Sequence, residues 1–255
     1  MRDERKTIEA EADGLIEGRN AVIEALRAGT AIDKVYIARG ETDATLGHIA
    51  ASARDRGVVV VECDRRKLDG MSRTKSHQGV VAVSAVREYA SVEDILAAAR
   101  DKGEAPLIVV CDELSDPHNL GALIRTANVA GAHGVIIPKR RAVGLTAAVA
   151  RTSAGALNYT PVAKVTNLTA AIKELKEKGL WFVCADMGGE TMYELKLTGP
   201  IGLVIGNEGE GVSRLVREAC DFTASIPMKG NIDSLNASVA AGVLAYEIVR
   251  QRMKE

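Results

Sequence analysis

The residues with chemical potential fall in three short segments. They are Asp116-Pro117-His118-Asn119-Leu120-Gly121-Ala122-Leu123-Ile124-Arg125, Ile205-Gly206-Asn207-Glu208-Gly209-Glu210-Gly211 and Asp233-Ser234-Leu235-Asn236-Ala237-Ser238. Each is polar or glycine-rich and lies between an apolar run and a helix-patterned stretch, where α/β enzymes keep their chemistry. Three glycines from Gly206 to Gly211 permit close backbone approach and positive φ, so this loop either wraps a small ligand with main-chain groups or caps the next helix. Arg125 lies off the apolar stripe Leu120, Leu123, Ile124 and Ala127, where its planar fork can grip a phosphate; read alone it is an ordinary surface arginine. Glu208 either holds Arg125 or accepts a hydrogen bond from a ligand, against the plain alternative of a solvated loop acid. Ser234 and Asn236 by default N-cap the last helix, and beside the other segments they become candidates to position a substrate. His118, next to a proline turn, reads as structural. No G-x-G-x-x-G follows the apolar run Leu107 to Cys111 and no G-x-x-x-x-G-K-[ST] occurs anywhere, so dinucleotide and P-loop readings lack support.

These segments need a scaffold, and periodicity supplies one. Residues 1–13 are charged, without apolar periodicity, and are expected to be disordered. From 14 to 88 the pattern predicts helix (Asn20 to Arg27), strand (Lys34 to Ala38), helix (Ala44 to Arg56), strand (Val58 to Cys63), a short basic helix or loop, and strand (Val80 to Val86). Residues 89–105 read as a linker, with Ser91 as a helix N-cap inside it. From 106 to 255, strands at Leu107 to Cys111, Gly134 to Pro138, Thr160 to Val165, Trp181 to Ala185 and Ile201 to Ile205 alternate with helices at Asn119 to Gly131, Leu145 to Ala154, Leu168 to Lys178, Ser213 to Cys220 and Ala237 to Met253. Continuous apolar strands between amphipathic helices predict a parallel sheet covered on both faces. The fold class is α/β, in two domains.

Composition narrows the function. The chain has 255 residues, 47% of them apolar, enough for two cores. No run of 18 apolar residues appears, and the charged start lacks a following apolar region, so neither a membrane span nor a secretory signal is expected and the location reads as cytoplasmic. Cys63, Cys111, Cys184 and Cys220 are dispersed, as are the four histidines, which predicts reduced thiols and no metal site. A net charge of −1 is unlike a dedicated nucleic-acid binder. Its distribution is uneven: residues 65–87 hold Arg65, Arg66, Lys67, Arg73, Lys75 and Arg87 against Asp69 alone, and residues 138–151 hold Lys139, Arg140, Arg141 and Arg151 with no acid. Either a phosphate-binding surface or a set of solvated faces fits that pattern.

Taken in order and at this spacing, the three segments resemble the three motifs of the SpoU/TrmH family of knotted (SPOUT) RNA ribose 2′-O-methyltransferases, over residues 106 to 250. Upstream, Glu17-Gly18-Arg19-Asn20-Ala21-Val22 and His77-Gln78-Gly79-Val80-Val81 resemble the small RNA-binding domain of some members. The pairing is most similar to the bacterial enzymes that methylate a guanosine of 23S rRNA. The resemblance implies a C-terminal trefoil knot, a homodimer, and S-adenosylmethionine bound by main chain at Gly206, Ile226 and Leu235, with Asn207 and Met228 beside it. Gly206 is expected to lie against the cofactor with no room for a Cβ. It further implies catalytic roles for Asn119, Arg125, Glu208, Ser234 and Asn236. A guanidinium does not give up its proton in proteins, so Arg125 is read as orienting the nucleotide and stabilising charge. Two alternatives stay open: a tRNA or another rRNA site, and a non-catalytic RNA-binding or ribosome-assembly protein.

Overall fold

The computed structural model describes residues 14–40 and 43–254, and the charged segment 1–13 lies outside the described residues. Contacts divide the chain into two units, one ending at Glu88 and including Val143–Ala150, the other formed by Tyr89–Ala142 and the residues from Arg151 onward.

The first unit runs β1 (Leu15–Glu17), α1 (Arg19–Arg27), β2 (Ile32–Ala38), α2 (Ala44–Asp55), β3 (Val59–Cys63), α3 (Arg65–Met71) and β4 (Val80–Ser84). Its sheet has the order β1-β4-β2-β3, with β4 antiparallel to both neighbours and β2 parallel to β3. All of β2 is buried because it is sandwiched. Val35 and Ile37 pack with Val22, Leu26, Leu46 and Ile49, while Tyr36 and Ala38 turn to Leu68, Met71, Val81 and Val83, as the two-residue period of a strand requires.

At the end of β1, the Glu17 carboxylate gathers the basic loop between α3 and β4. It accepts hydrogen bonds from Ser72 Oγ (2.6 Å), Arg73 N (2.8 Å), Thr74 N (3.2 Å) and Thr74 Oγ1 (2.6 Å). Arg19 Nε donates to the Gln78 carbonyl at 3.0 Å, and Gly79 N donates to His77 Nδ1 at 3.1 Å. The loop needs such anchors, since Lys75 and Gln78 are held at φ 55° and 51°. Burial pushes the Glu17 carboxyl up, but the bonds from Ser72, Thr74 and Arg73 outweigh it and hold the pKa at about 2. A depressed carboxylate stabilises the fold above its ordinary pKa, and that contribution is lost as pH falls from about 4.5 to about 2. Glu17→Gln is therefore expected to destabilise this unit by about 1–3 kcal/mol in urea melts at neutral pH and to abolish that acid dependence. A variant as stable as the parent would show that the loop is held by other contacts.

The rest of the chain runs α4 (Val92–Lys102), β5 (Leu107–Cys111), α5 (Pro117–Val129), β6 (Gly134–Pro138), α6 (Ala147–Thr152, divided between the units after Ala150), a 3-10 turn (Ala156–Asn158), β7 (Val162–Val165), α7 (Leu168–Glu177), β8 (Trp181–Thr191), β9 (Ile201–Ile205), α8 (Arg214–Ala219), β10 (Phe222–Ser225) and α9 (Ala237–Arg252), all but the first part of α6 in the second unit. Six parallel strands take the order β10-β8-β9-β5-β6-β7. Ile108 and Val110 share one core with residues of α4, α7 and α8. The alternating Leu107 and Val109, also buried, face the other way, where α5 and α9 pack.

Residues 89–105, expected as a linker, instead carry α4, whose Ile95 and Leu96 belong to that core. The Ser91 capping box and the left-handed Gly103 bound this helix. Two strands were not legible: β1 has only three residues, and β10 alternates too weakly to mark a face. Cys63, Cys111 and Cys184 are buried free thiols and Cys220 is half-buried. No helix among the described residues is long and apolar enough to cross a membrane, and none of them cluster as a metal site.

Candidate functional site

A cleft of about 520 Å³ opens at the carboxyl ends of β8, β9 and β10, the edge at which parallel α/β sheets bind ligands. Its size falls within the ~300–1,000 Å³ of small-molecule sites. Ile205, Gly206, Asn207, Glu208, Ile226, Met228, Ser234 and Leu235 all line it. Seven of the ten residues singled out in the sequence thus meet there, drawn from two loops, the one after β9 and the one between β10 and α9.

The loop after β9 is shaped from within. Asn207 Oδ1 accepts from Gly209 N (2.9 Å) and Glu210 N (2.7 Å), so this oxygen is spent on folding its own loop. Ser213 N donates to Oδ2 of the buried Asp112 at 2.7 Å, which ties the end of the loop to the end of β5. Gly206 is required for a reason other than the expected one. A Cβ there would collide with the Gly211 carbonyl and the Val212 amide nitrogen, so the space is filled by the protein's own backbone and not kept for a ligand. Gly206 is not among the residues at positive φ, and the restraint is purely steric.

Asn236 joins the remaining residues. Its Oδ1 caps α9, accepting from Ser238 N (3.0 Å), Ser238 Oγ (2.6 Å) and Val239 N (3.4 Å). Its Nδ2 donates to Asn119 Oδ1 at 2.8 Å and to Glu208 Oε1. Asn119 is buried in the first turn of α5, which Asp116 caps and Pro117 begins. One amide therefore links all three sequence segments, and Glu208 is held by Asn236, not by Arg125. Arg125 does not line the cleft. Six residues beyond Asn119, it sits about 240° further round the α5 axis, exposed and without a hydrogen bond or ion pair among the described residues. His118 Nδ1 lies 3.4 Å from Thr152 Oγ1, outside the cleft.

Glu210, Asp233 and Ala237 of those sequence segments line it too, and other lining residues were not foreseen: Ala185, Asp186, Met187, Arg217, Ala224 and Ala240. Of these, Ala185, Asp186 and Met187 belong to an irregularity in β8 that no periodicity announces. Asp186, Glu208, Glu210 and Asp233 against Arg217 leave the rim acidic, while Ile205, Ala224, Ile226, Met228 and Leu235 make the floor apolar. A ligand with a flat apolar part and a positive charge fits both features.

Known proteins agree with this chemistry. The SpoU rRNA Methylase family profile matches residues 106–246, and the profile for RNA 2′-O ribose methyltransferase substrate binding matches residues 15–90. The chain belongs to the SpoU/TrmH family. It is 47% identical, over 92% of its length and 94% of the relative's, to the Bacillus subtilis protein YacO, assigned to the TrmH family of tRNA/rRNA methyltransferases. Among solved structures, it is similar to the SpoU methyltransferase AviRb of Streptomyces viridochromogenes in complex with AdoMet (TM-score 0.59, 28% identity, 94% of this chain and 90% of that one). It is also similar to an AdoMet-bound rRNA methyltransferase of Sinorhizobium meliloti (TM-score 0.58, 26% identity, 96% and 93%). Membership makes this chain an S-adenosylmethionine-dependent RNA ribose 2′-O-methyltransferase.

Proposed function

We propose that this member of the family methylates the ribose 2′-hydroxyl of a guanosine in 23S rRNA, holding S-adenosylmethionine in the cleft after β8, β9 and β10. The observation that carries the site assignment is the Asn236 amide, which draws Asn119, Glu208 and the helix cap of α9 to the edge of that cleft. When bound, the cofactor supplies an electrophilic methyl group on a sulfonium. The chain aligns and polarises. The apolar floor and acidic rim orient the donor, and Asn207 and Gly206 keep the loop in shape around it. Glu208, fixed through one oxygen by Asn236, keeps Oε2 to accept a hydrogen bond from the ribose hydroxyl, and Ser234 lines the same cleft. Arg125 contributes an uncommitted guanidinium for the RNA backbone and for charge developing on the 2′-oxygen.

Residues 14–88 serve as the RNA-binding domain, with the basic loop gathered by Glu17 as part of its contact surface. The catalytic domain, counted from 106 onward, carries the family's trefoil knot and pairs as a homodimer in the cytoplasm. Exposed Val129 on α5 and Val239 and Tyr246 on α9 supply an apolar face for that pairing. A second reading is kept for a stated reason: the family name borne by the B. subtilis relative covers tRNA as well as rRNA, and nothing lining the cleft selects between them.

Nucleoside mass spectrometry of rRNA and tRNA from cells lacking the protein separates these readings. One missing 2′-O-methylguanosine in 23S rRNA is expected. A loss confined to tRNA or to another rRNA site would move the target within the family. An unchanged methylation map would leave a binding protein without turnover.

A further inference from the structure

Strand β8 does not run straight. Cys184 pairs with Thr223 of β10, yet the next residue of β10, Ala224, pairs with Glu190, so Ala185 to Gly189 are extruded with no partner on that side. The chain returns to register at Glu190, and at Gly189 just before it a Cβ would collide with the Thr223 carbonyl. Ala185, Asp186 and Met187 of this extrusion form one wall of the cleft, and the loop from Gly206 to Gly211 forms another.

A single guanidinium spans the two. Arg217 Nη2, from α8, lies 2.5 Å from Asp186 Oδ2 and donates to the Val212 carbonyl at 3.3 Å. Asp186 Oδ1 in turn accepts from Gly188 N at 3.0 Å and so shapes the extrusion from inside. The Asp186 side chain is only 20% exposed, against 43% for Arg217, so water screens this pair less than an open surface bridge. Asp186 also shares the cleft with Glu208, Glu210 and Asp233, and without its cation it would face like charges alone.

We propose that Arg217 is a positioning residue which, through Asp186 and the Val212 carbonyl, holds the 185–189 extrusion against the 206–212 loop and so sets the width of the cofactor cleft. This rests on the reading of that cleft as the S-adenosylmethionine site. Its action is mechanical and electrostatic, through the wall. Both contacts come from Nη2 alone; a lysine brings a cation with donors enough for both but on a shorter stem, so Arg217→Lys restores part of the effect and Arg217→Gln none.

The test uses the full-length protein and its Arg217→Gln, Arg217→Lys and Asp186→Asn variants. Calorimetry measures the Kd for S-adenosylmethionine, and backbone hydrogen exchange is read without ligand. For Arg217→Gln, cofactor affinity is expected to fall about tenfold and exchange at 186–190 to rise by a similar ~10-fold factor, while β5 and β9 exchange as before. RNA affinity and kcat at saturating cofactor stay within about twofold, and Arg217→Lys is intermediate. Arg217→Gln already removes the Asp186 contact along with the one to Val212, so adding Asp186→Asn should cost little beyond Arg217→Gln alone. An unchanged Kd, exchange raised evenly through β5 and β9, or full additivity of the double variant would overturn the proposal. A parent protein that binds no S-adenosylmethionine would overturn the reading of the cleft instead, and the exchange comparison would still decide whether Arg217 holds the wall.

Discussion

Replacing Arg125 with alanine is expected to lower kcat for methyl transfer by about 10²–10³-fold, the scale seen when one preorganised charge-stabilising group is deleted. The Kd for S-adenosylmethionine should stay within about twofold, because Arg125 does not line the cleft and makes no bond that supports it. The fold should also hold. Leu120, Leu123, Ile124 and Ala127 carry the buried face of α5, and the arginine lies outside it. Arg125→Lys should recover little, since an ammonium cannot reproduce a planar two-pronged contact with phosphate or ribose oxygen. Steady-state assays with RNA and cofactor in excess, paired with calorimetry for the cofactor, check both halves. Full turnover by the lysine variant would sink the role given to the fork.

The second large effect is expected at Gly206. Its missing side chain makes room for Gly211 and Val212 of the same loop, so Gly206→Val must push the loop off its path before any ligand arrives. Overpacking of this kind costs about 1–3 kcal/mol, and drawn from cofactor binding that is ~5–150-fold in Kd. The loss should be at the upper end, because the colliding atoms are backbone with no rotamer to yield. RNA affinity, measured separately by gel shift, should persist, as the basic loop held by Glu17 lies in the other unit. An unaltered cofactor Kd in a folded Gly206→Val protein would remove this loop from the donor site.

Much of this arrangement was legible in the sequence because it rests on short-range rules. Unbroken apolar runs such as Leu107–Cys111 and Ile201–Ile205 can only be strands buried on both faces, and the polar loops after them must gather at one edge of a parallel sheet. Asn236 was recognisable as a cap from its place before Ala237. What stayed hidden depends on partners distant in sequence. That the other end of the same amide reaches Asn119, 117 residues away, follows from the packing of α9 on α5 and from nothing local. The Gly206 constraint comes from a chain segment folded back on it, and a single sequence cannot distinguish that from a ligand. The extrusion in β8 leaves only Met187-Gly188-Gly189 as a trace, and Arg217 reads as one more exposed helix arginine until its partner is placed. Residues 89–105 misled because a polar, glycine-ended stretch resembles a linker, although Ile95 and Leu96 are core residues.

The strand order also dictates when the enzyme can come into being. β9 sits between β5 and β8 but is synthesised after both, and β10, the other neighbour of β8, comes later still. As the chain emerges from the ribosome, β5, β6 and β7 can pair at once, whereas β8 waits without a sheet partner until Ile201–Ile205 is threaded into the gap. Until then β5 presents an open, wholly apolar edge, the kind of surface that joins to other chains. The cleft proposed to hold the cofactor, built from residues 185 to 240, is the last part to exist. Substitutions in β9 will therefore register first in the yield of soluble protein and in refolding rate, before any defect in methyl transfer can be measured.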